Sequence, residues 1–175
     1  KPAIGLDAEW VKGSTQPVAL LQLSTADDHG IKTMCLRLVS MAHPPPALLA
    51  LLSDVSILKC GVGVGDDIRR LEKWAANART PFIGAGHCEL VPLARRAGFL
   101  ATGLASLSVE VLGEPLSKEH RVRCSDWEAP VLTPEQLEYA ANDARTSLKL
   151  LLALYGLEHA PTRAPLAAWA IAAHD

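Results

Sequence analysis

"IGLDAEWV", residues 4–11, has the composition of a buried β-strand but carries two carboxylates. Strand side chains alternate faces, so Ile4, Leu6, Ala8 and Trp10 point one way while Gly5, Asp7, Glu9 and Val11 point the other. Asp7 and Glu9 therefore share a face, about 7 Å apart along the backbone at a rise of ~3.3 Å per residue. Like charges held that close are unfavourable unless water or a cation separates them. An edge strand with a solvated face and a metal site both satisfy that condition, and the rest of the chain has to choose.

A chain of 175 residues is long enough for one domain with a proper core. At 49% hydrophobic and 21% charged residues, the composition fits a globular protein and excludes a disordered or collagen-like chain. The formal net charge of -2 gives no global attraction to a polyanion, so any such contact needs a local basic patch. Cys35, Cys60, Cys88 and Cys124 show neither zinc-ligand spacing nor a compact disulfide framework, even with His87 and His120 nearby. That pattern points to a reducing, intracellular setting, with the organelle unread. No apolar run is long enough to span a bilayer.

Further along, "QPVALLQLST" (16–25) and "IKTMCLRLV" (31–39) predict two more strands, paired as a hairpin through "ADDHG" (26–30). Prolines open a helix in "HPPPALLALLSD" (43–54), and "VSILKCGVGV" (55–64) is a short strand running into glycines. Asp66 and Asp67 open a helix with Ile68, Leu71, Ala75 and Ala78 spaced by threes and fours. "TPFIG" (80–84) predicts a last strand, followed by helices in "ELVPLARRAG" (89–98) and "GLASLSVEVLG" (103–113). A polar connector over 114–132 leads to the longest helix, from about 134 to 157. This order predicts an α/β domain over 1–158, a mixed sheet with helices packed on it. In the tail from 159, Leu166, Trp169 and Ala173 stand at helical spacing, fit to cap the domain or to pack on another chain. Whether the chain self-associates is open.

The long helix starts with a capping box: Thr133 as N-cap, Pro134 at the first helical position and Gln136 at the third. With about 100° per residue, Leu137, Ala141, Ala144, Leu148, Leu151 and Tyr155 form an apolar stripe, while Glu138, Asn142, Arg145 and Lys149 form a solvent face. Asp143 belongs to neither; it shares a third sector with Tyr139, Ser147, Leu150 and Leu154. A carboxylate there needs a partner. A hydrogen bond to backbone or arginine would serve, and so would a cation shared with Asp7 and Glu9.

"CGVGVGDDIRRLEKW" (60–74) resembles a nucleotide loop only superficially. The third glycine of G-x-G-x-x-G falls at Asp66, whose charge would repel a pyrophosphate. One aspartate can cap the helix, which leaves the other free.

Together, "LDAEW", "GVGVGDD" and "YAAND" resemble the DEDD-type 3′–5′ exonucleases of the tyrosine subclass, with the connector "RCSDWEAPVLTPEQLEYAANDA" (123–144) most similar to the Werner-type group. The resemblance spans roughly 3–156 and implies a ribonuclease H-like fold. It also implies a metal-dependent 3′–5′ exonuclease acting on DNA or RNA and releasing mononucleotides. Asp7, Glu9, Asp67, Tyr139 and Asp143 take the catalytic positions, with Asp67 preferred to Asp66 and Asp66 left as the helix N-cap. Glu138 stands where the histidine subclass has His. Two Mg²⁺ or Mn²⁺ ions would be held by the four carboxylates. Asp7 would bridge both ions, Glu9 and Asp143 would complete one shell, and Asp67 would hold the second ion largely through water. Tyr139, too weak a base near neutrality, would position the water or phosphate. Arg69, Lys118, His120, Arg121 and Arg123 are the candidate phosphate contacts, and Trp127 is read as packing. A catalytically silent binding scaffold of the same fold is the alternative.

Overall fold

The computed structural model describes residues 2–117 and 119–158. Five strands form one mixed sheet in the order β3-β2-β1-β4-β5: β1 (Ala3–Glu9), β2 (Leu20–Asp27), β3 (Gly30–Arg37), β4 (Leu58–Gly61) and β5 (His87–Glu89). β1, β2 and β3 pair antiparallel, whereas β4 runs parallel to both β1 and β5. Asp27 pairs directly with Gly30, so the hairpin turn is only Asp28-His29, tighter than the composition of 26–30 suggests. Gly30 has φ +107, which a side chain would strain.

The alternation read from the first strand holds. Ile4, Leu6 and Ala8 enter the core on one face, against Leu48 and Leu52 of α1 (Pro46–Ser53) and Ile68, Leu71 and Trp74 of α2 (Val64–Asn77). On the other face, α6 (Pro134–Glu158) crosses the sheet. Its Leu150, Leu151 and Leu154 pack with Cys60, with Leu90 and Leu93 of α3 (Leu90–Arg96), and with Leu107 at the end of α4 (Leu104–Leu107). A wider turn over Ser108–Leu112 follows α4, and α5 (His120–Arg123) lies in the connector.

Three expectations change. Residues 80–84 form no strand; Gly84 N–H donates to Glu72 of α2 at 2.8 Å, so this stretch packs on the helix, and His87–Glu89 pairs with β4 instead. α2 begins at Val64, two residues before the acid pair, which therefore lies inside its first turn, so Asp66 is not its N-cap. Gly63 takes that place with φ +80, a conformation open to glycine without strain. The buried face of α6 is also rotated from the predicted stripe. Ala140, Ala144, Ser147, Leu148, Leu150 and Leu154 are buried, whereas Leu137 and Tyr155 are exposed. The capping box is present, with Thr133 N–H donating to Gln136 Oε1 at 2.9 Å and Gln136 N–H to Thr133 Oγ1 at 3.2 Å. The tail from 159 lies outside the described residues, and no described helix is long and apolar enough to cross a membrane.

Candidate active site

β1 and α6 meet where β1 has no side chain. A Cβ on Gly5 would collide with the Ala144 carbonyl oxygen and approach the Leu148 amide nitrogen to 2.9 Å. Glycine inside a strand thus admits the helix backbone. That approach sets Asp143 over the strand face that carries Asp7 and Glu9. Ligand oxygens of Asp7, Glu9 and Asp143 all lie within 4.8 Å of one another.

Burial and mutual repulsion govern the charge of this cluster. Desolvation first, then Glu9, Asp67 and Asp143, raise the Asp7 carboxyl well above the ordinary carboxylate range. Desolvation, Asp143 and Asp67 push Glu9 up to about 8, against which Arg123 acts. Desolvation raises Asp143 to about 7, opposed by the Tyr139 hydroxyl, which donates to its carboxylate from one turn earlier on α6. Tyr139 itself is half-buried, and desolvation with the neighbouring carboxylates raises its phenol far above its usual value. It stays protonated at neutral pH, a donor and not a base.

Asp67 joins from the first turn of α2 and is 5% exposed. Desolvation, with Asp66 and Glu89 adding to it, raises its carboxyl to about 7. Asp66 is exposed and paired with Arg69. The tertiary structure therefore turns only the second aspartate inward.

The basic candidates separate. His120 and Arg123 line a cavity of about 440 Å³ together with Asp7, Tyr139 and Asp143. Arg121 turns away to Glu135 at 2.8 Å, and Arg69 lines a different cavity. Lys118 lies outside the described residues. Trp127 is fully buried, its Nε1–H donating to the Arg123 carbonyl at 3.1 Å and its ring 6.3 Å from that of Tyr139. As read from the sequence, it packs; in doing so it ties the connector to the helix that carries Tyr139.

Three residues escaped the sequence reading. Gly5 sits on the carboxylate face of a strand, which was a legible sign of close backbone approach. Gln22 pairs in register with Asp7 and is fully buried, with neither amide atom bonded among the described residues. A glutamine inside the apolar run "ALLQLS" (19–24) was its only signal. Glu89 accepts from the backbone N–H groups of Gly63 and Gly65, both at 2.9 Å. From the end of β5 it closes the N-terminus of α2, a contact no local pattern announces. Removing a carboxylate from a helix N-terminus and leaving two donors without it costs about 1–2 kcal/mol. Urea unfolding of Glu89→Ala is expected to show that loss, with Glu89→Gln losing less.

A mixed sheet crossed by a long helix, with buried carboxylates where the central strand meets that helix, defines a ribonuclease H-like α/β nuclease domain. Within that class the chain belongs to the 3′-5′ exonuclease family, which it matches over residues 1–155. Exonuclease 3'-5' domain-containing protein 2 of Homo sapiens is 35% identical over 161 residues, covering 89% of this chain and 25% of that protein. Bifunctional 3'-5' exonuclease/ATP-dependent helicase WRN of Mus musculus is 33% identical over 152 residues, covering 83% of this chain and 10% of that protein. The chain thus spans a quarter or less of the length of these two relatives. A solved structure described as the apo form of the nuclease matches at a TM-score of 0.71 and 26% identity, over 89% of this chain and 72% of that one. The resemblance read from the three acidic motifs is borne out.

Proposed function

We propose that this domain hydrolyses DNA or RNA from the 3′ end, releasing nucleoside 5′-monophosphates, with Asp7, Glu9, Asp67 and Asp143 holding two Mg²⁺ or Mn²⁺ ions. The observation that carries this reading is the convergence of Asp7, Glu9 and Asp143, with ligand oxygens within 4.8 Å of one another on buried or half-buried side chains. An all-carboxylate donor set suits hard divalent cations and not soft ones. Their mutual repulsion is what a cation would relieve. When bound, two such ions supply water activation, neutralisation of phosphoryl charge and stabilisation of the leaving oxygen.

The chain's own residues supply alignment. Burial and the charges of Glu9, Asp67 and Asp143 all disfavour the Asp7 carboxylate, so a cation held among these four would relieve it. Tyr139 holds the Asp143 carboxylate and presents a protonated hydroxyl to the cavity, positioning water or phosphate. His120 and Arg123 offer donors to phosphate from the cavity wall. The free thiols of Cys35, Cys60 and Cys124 suit an intracellular setting.

A time course on 5′-labelled single-stranded DNA and RNA in Mg²⁺, Mn²⁺ or EDTA tests the reading. A ladder that shortens from the 3′ end and needs metal supports it and reports the preferred sugar. Intact substrates in every metal would favour the silent binding scaffold.

The raised carboxyls also set a pH dependence for the metal-free protein. Between the ordinary carboxyl value of roughly 4 and about 7 to 8, the folded state keeps protons on Glu9, Asp67 and Asp143 that the unfolded chain releases. The unfolded state then binds fewer protons, so stability falls as pH rises through that window and levels above it. In EDTA, the thermal midpoint is expected to be higher at pH 5 than at pH 8. Saturating Mn²⁺ should raise the midpoint most at pH 8, because a cation replaces the protons. Differential scanning calorimetry across that range checks both signs.

A further inference from the structure

Two cavities flank the C-terminal end of β1, and they share no lining residue. One holds Asp7, Tyr139 and Asp143. The other, about 530 Å³, lies between the 10–17 loop and α2, and Lys12, Arg69, Arg70 and Lys73 line it against the single carboxylate of Asp66. The chain as a whole carries 17 Lys and Arg against 19 Asp and Glu, so this cleft inverts the overall sign.

Its walls are braced by contacts within the fold. The Arg70 guanidinium carbon lies 3.7 Å from the centroid of the Trp10 ring, and Arg70 donates to the Pro17 carbonyl at 3.2 Å. That stack fastens the loop to α2 and occupies Arg70. Arg69 is occupied by Asp66. Lys12 and Lys73 are exposed, and neither pairs with a carboxylate among the described residues. The cleft adjoins the acid cluster through two peptide links, Glu9–Trp10 and Asp66–Asp67.

We propose that this cleft binds the phosphodiester backbone of a single nucleic-acid strand whose 3′ end lies at the carboxylates, with Lys12 and Lys73 taking phosphates beyond the scissile linkage. The inference rests on the exonuclease reading above. An acid cluster repels a polyanion, and cations placed at its rim offset that repulsion for phosphates that need not enter it. Lysine suits such contacts because a mobile point charge follows a backbone without reading sequence. A dinucleotide confined to the carboxylates leaves the cleft unused, whereas a longer strand occupies it.

The test compares the wild type with a Lys12→Gln/Lys73→Gln variant by fluorescence anisotropy on 5′-labelled single strands of two and twelve nucleotides. Calcium replaces the catalytic ion, so that the strands stay intact. Two lost phosphate contacts should weaken binding of the longer strand roughly tenfold and make the slope of log K against log salt shallower by about 1.4, with less than a twofold change on the dinucleotide. A Lys12→Arg/Lys73→Arg variant should restore both affinity and slope, which a merely structural role would not require. Equal affinity of wild type and glutamine variant for the longer strand would overturn the inference. So would an unchanged slope, an equal loss on the dinucleotide, or a wild type that binds the longer strand no better than the shorter. Failure of the exonuclease reading shows separately, as no metal-dependent shortening by the wild type.

Discussion

Asp143→Asn is expected to lower kcat by about a thousandfold or more while raising the stability of the metal-free protein near pH 8. The amide keeps the shape of the carboxylate and can still accept from Tyr139, so α6 stays seated on β1. What it removes is one negative charge from three carboxylates whose oxygens lie within 4.8 Å of one another, the set proposed to hold metal. Ion-based stabilisation of a phosphoryl transition state amounts to several kcal/mol, and about 4 kcal/mol at 1.36 per decade is the thousandfold loss. The same substitution deletes a like charge that helps to push Glu9 up to about 8. At pH 8 that repulsion burdens the folded state alone, so its removal stabilises. Steady-state kinetics on a labelled oligonucleotide and urea unfolding in EDTA read the two effects on one preparation. A variant both slow and less stable would mean that Asp143 holds structure rather than metal.

Gly5→Ala is expected to damage stability and activity together. Its methyl group would meet the Ala144 carbonyl oxygen and come within 2.9 Å of the Leu148 nitrogen, both of them helix backbone. Backbone cannot rotate out of the way, so α6 must lift from the sheet. Overpacking of this kind costs about 1–3 kcal/mol, and the upper end applies where no side chain can yield. Because α6 carries Tyr139 and Asp143 while β1 carries Asp7 and Glu9, the lift separates the two halves of the site. A displacement of about 1 Å costs on the order of a hundredfold in rate. Thermal unfolding together with kcat on the same substrate checks the pairing, and calorimetric titration with Mn²⁺ should show weakened binding. Loss of stability with full activity would show that the helix can be re-seated without moving its carboxylate.

Much of this was legible because strand and helix periods are local properties. The alternation of Ile4, Leu6 and Ala8 against Gly5, Asp7 and Glu9 placed the two acids on one face before any partner was known. The Thr133–Gln136 capping box fixed the start of α6, and the periodicity that follows marked Asp143 as misplaced. The stripe was nonetheless drawn toward Leu137 and Tyr155. Helical periodicity gives relative angles, and only contact with the sheet decides which angle faces inward. The strand expected at 80–84 failed for a similar reason: Gly84 bonds to Glu72, and the choice between sheet and helix as partner is not local.

By itself, then, the sequence determined the alternating faces of β1, the helix capped by Thr133, the identity of the acidic residues and the family they belong to. Each depends on residue type and spacing along one element. Only the tertiary structure decided that Asp67 and not Asp66 turns inward, that Glu89 closes the start of α2, and that His120 and Arg123 face the carboxylates while Arg121 turns to Glu135. Those outcomes depend on distances between elements far apart in the chain. A missing side chain at Gly5 sets the most consequential of them, by letting the backbone of α6 come to rest on the strand.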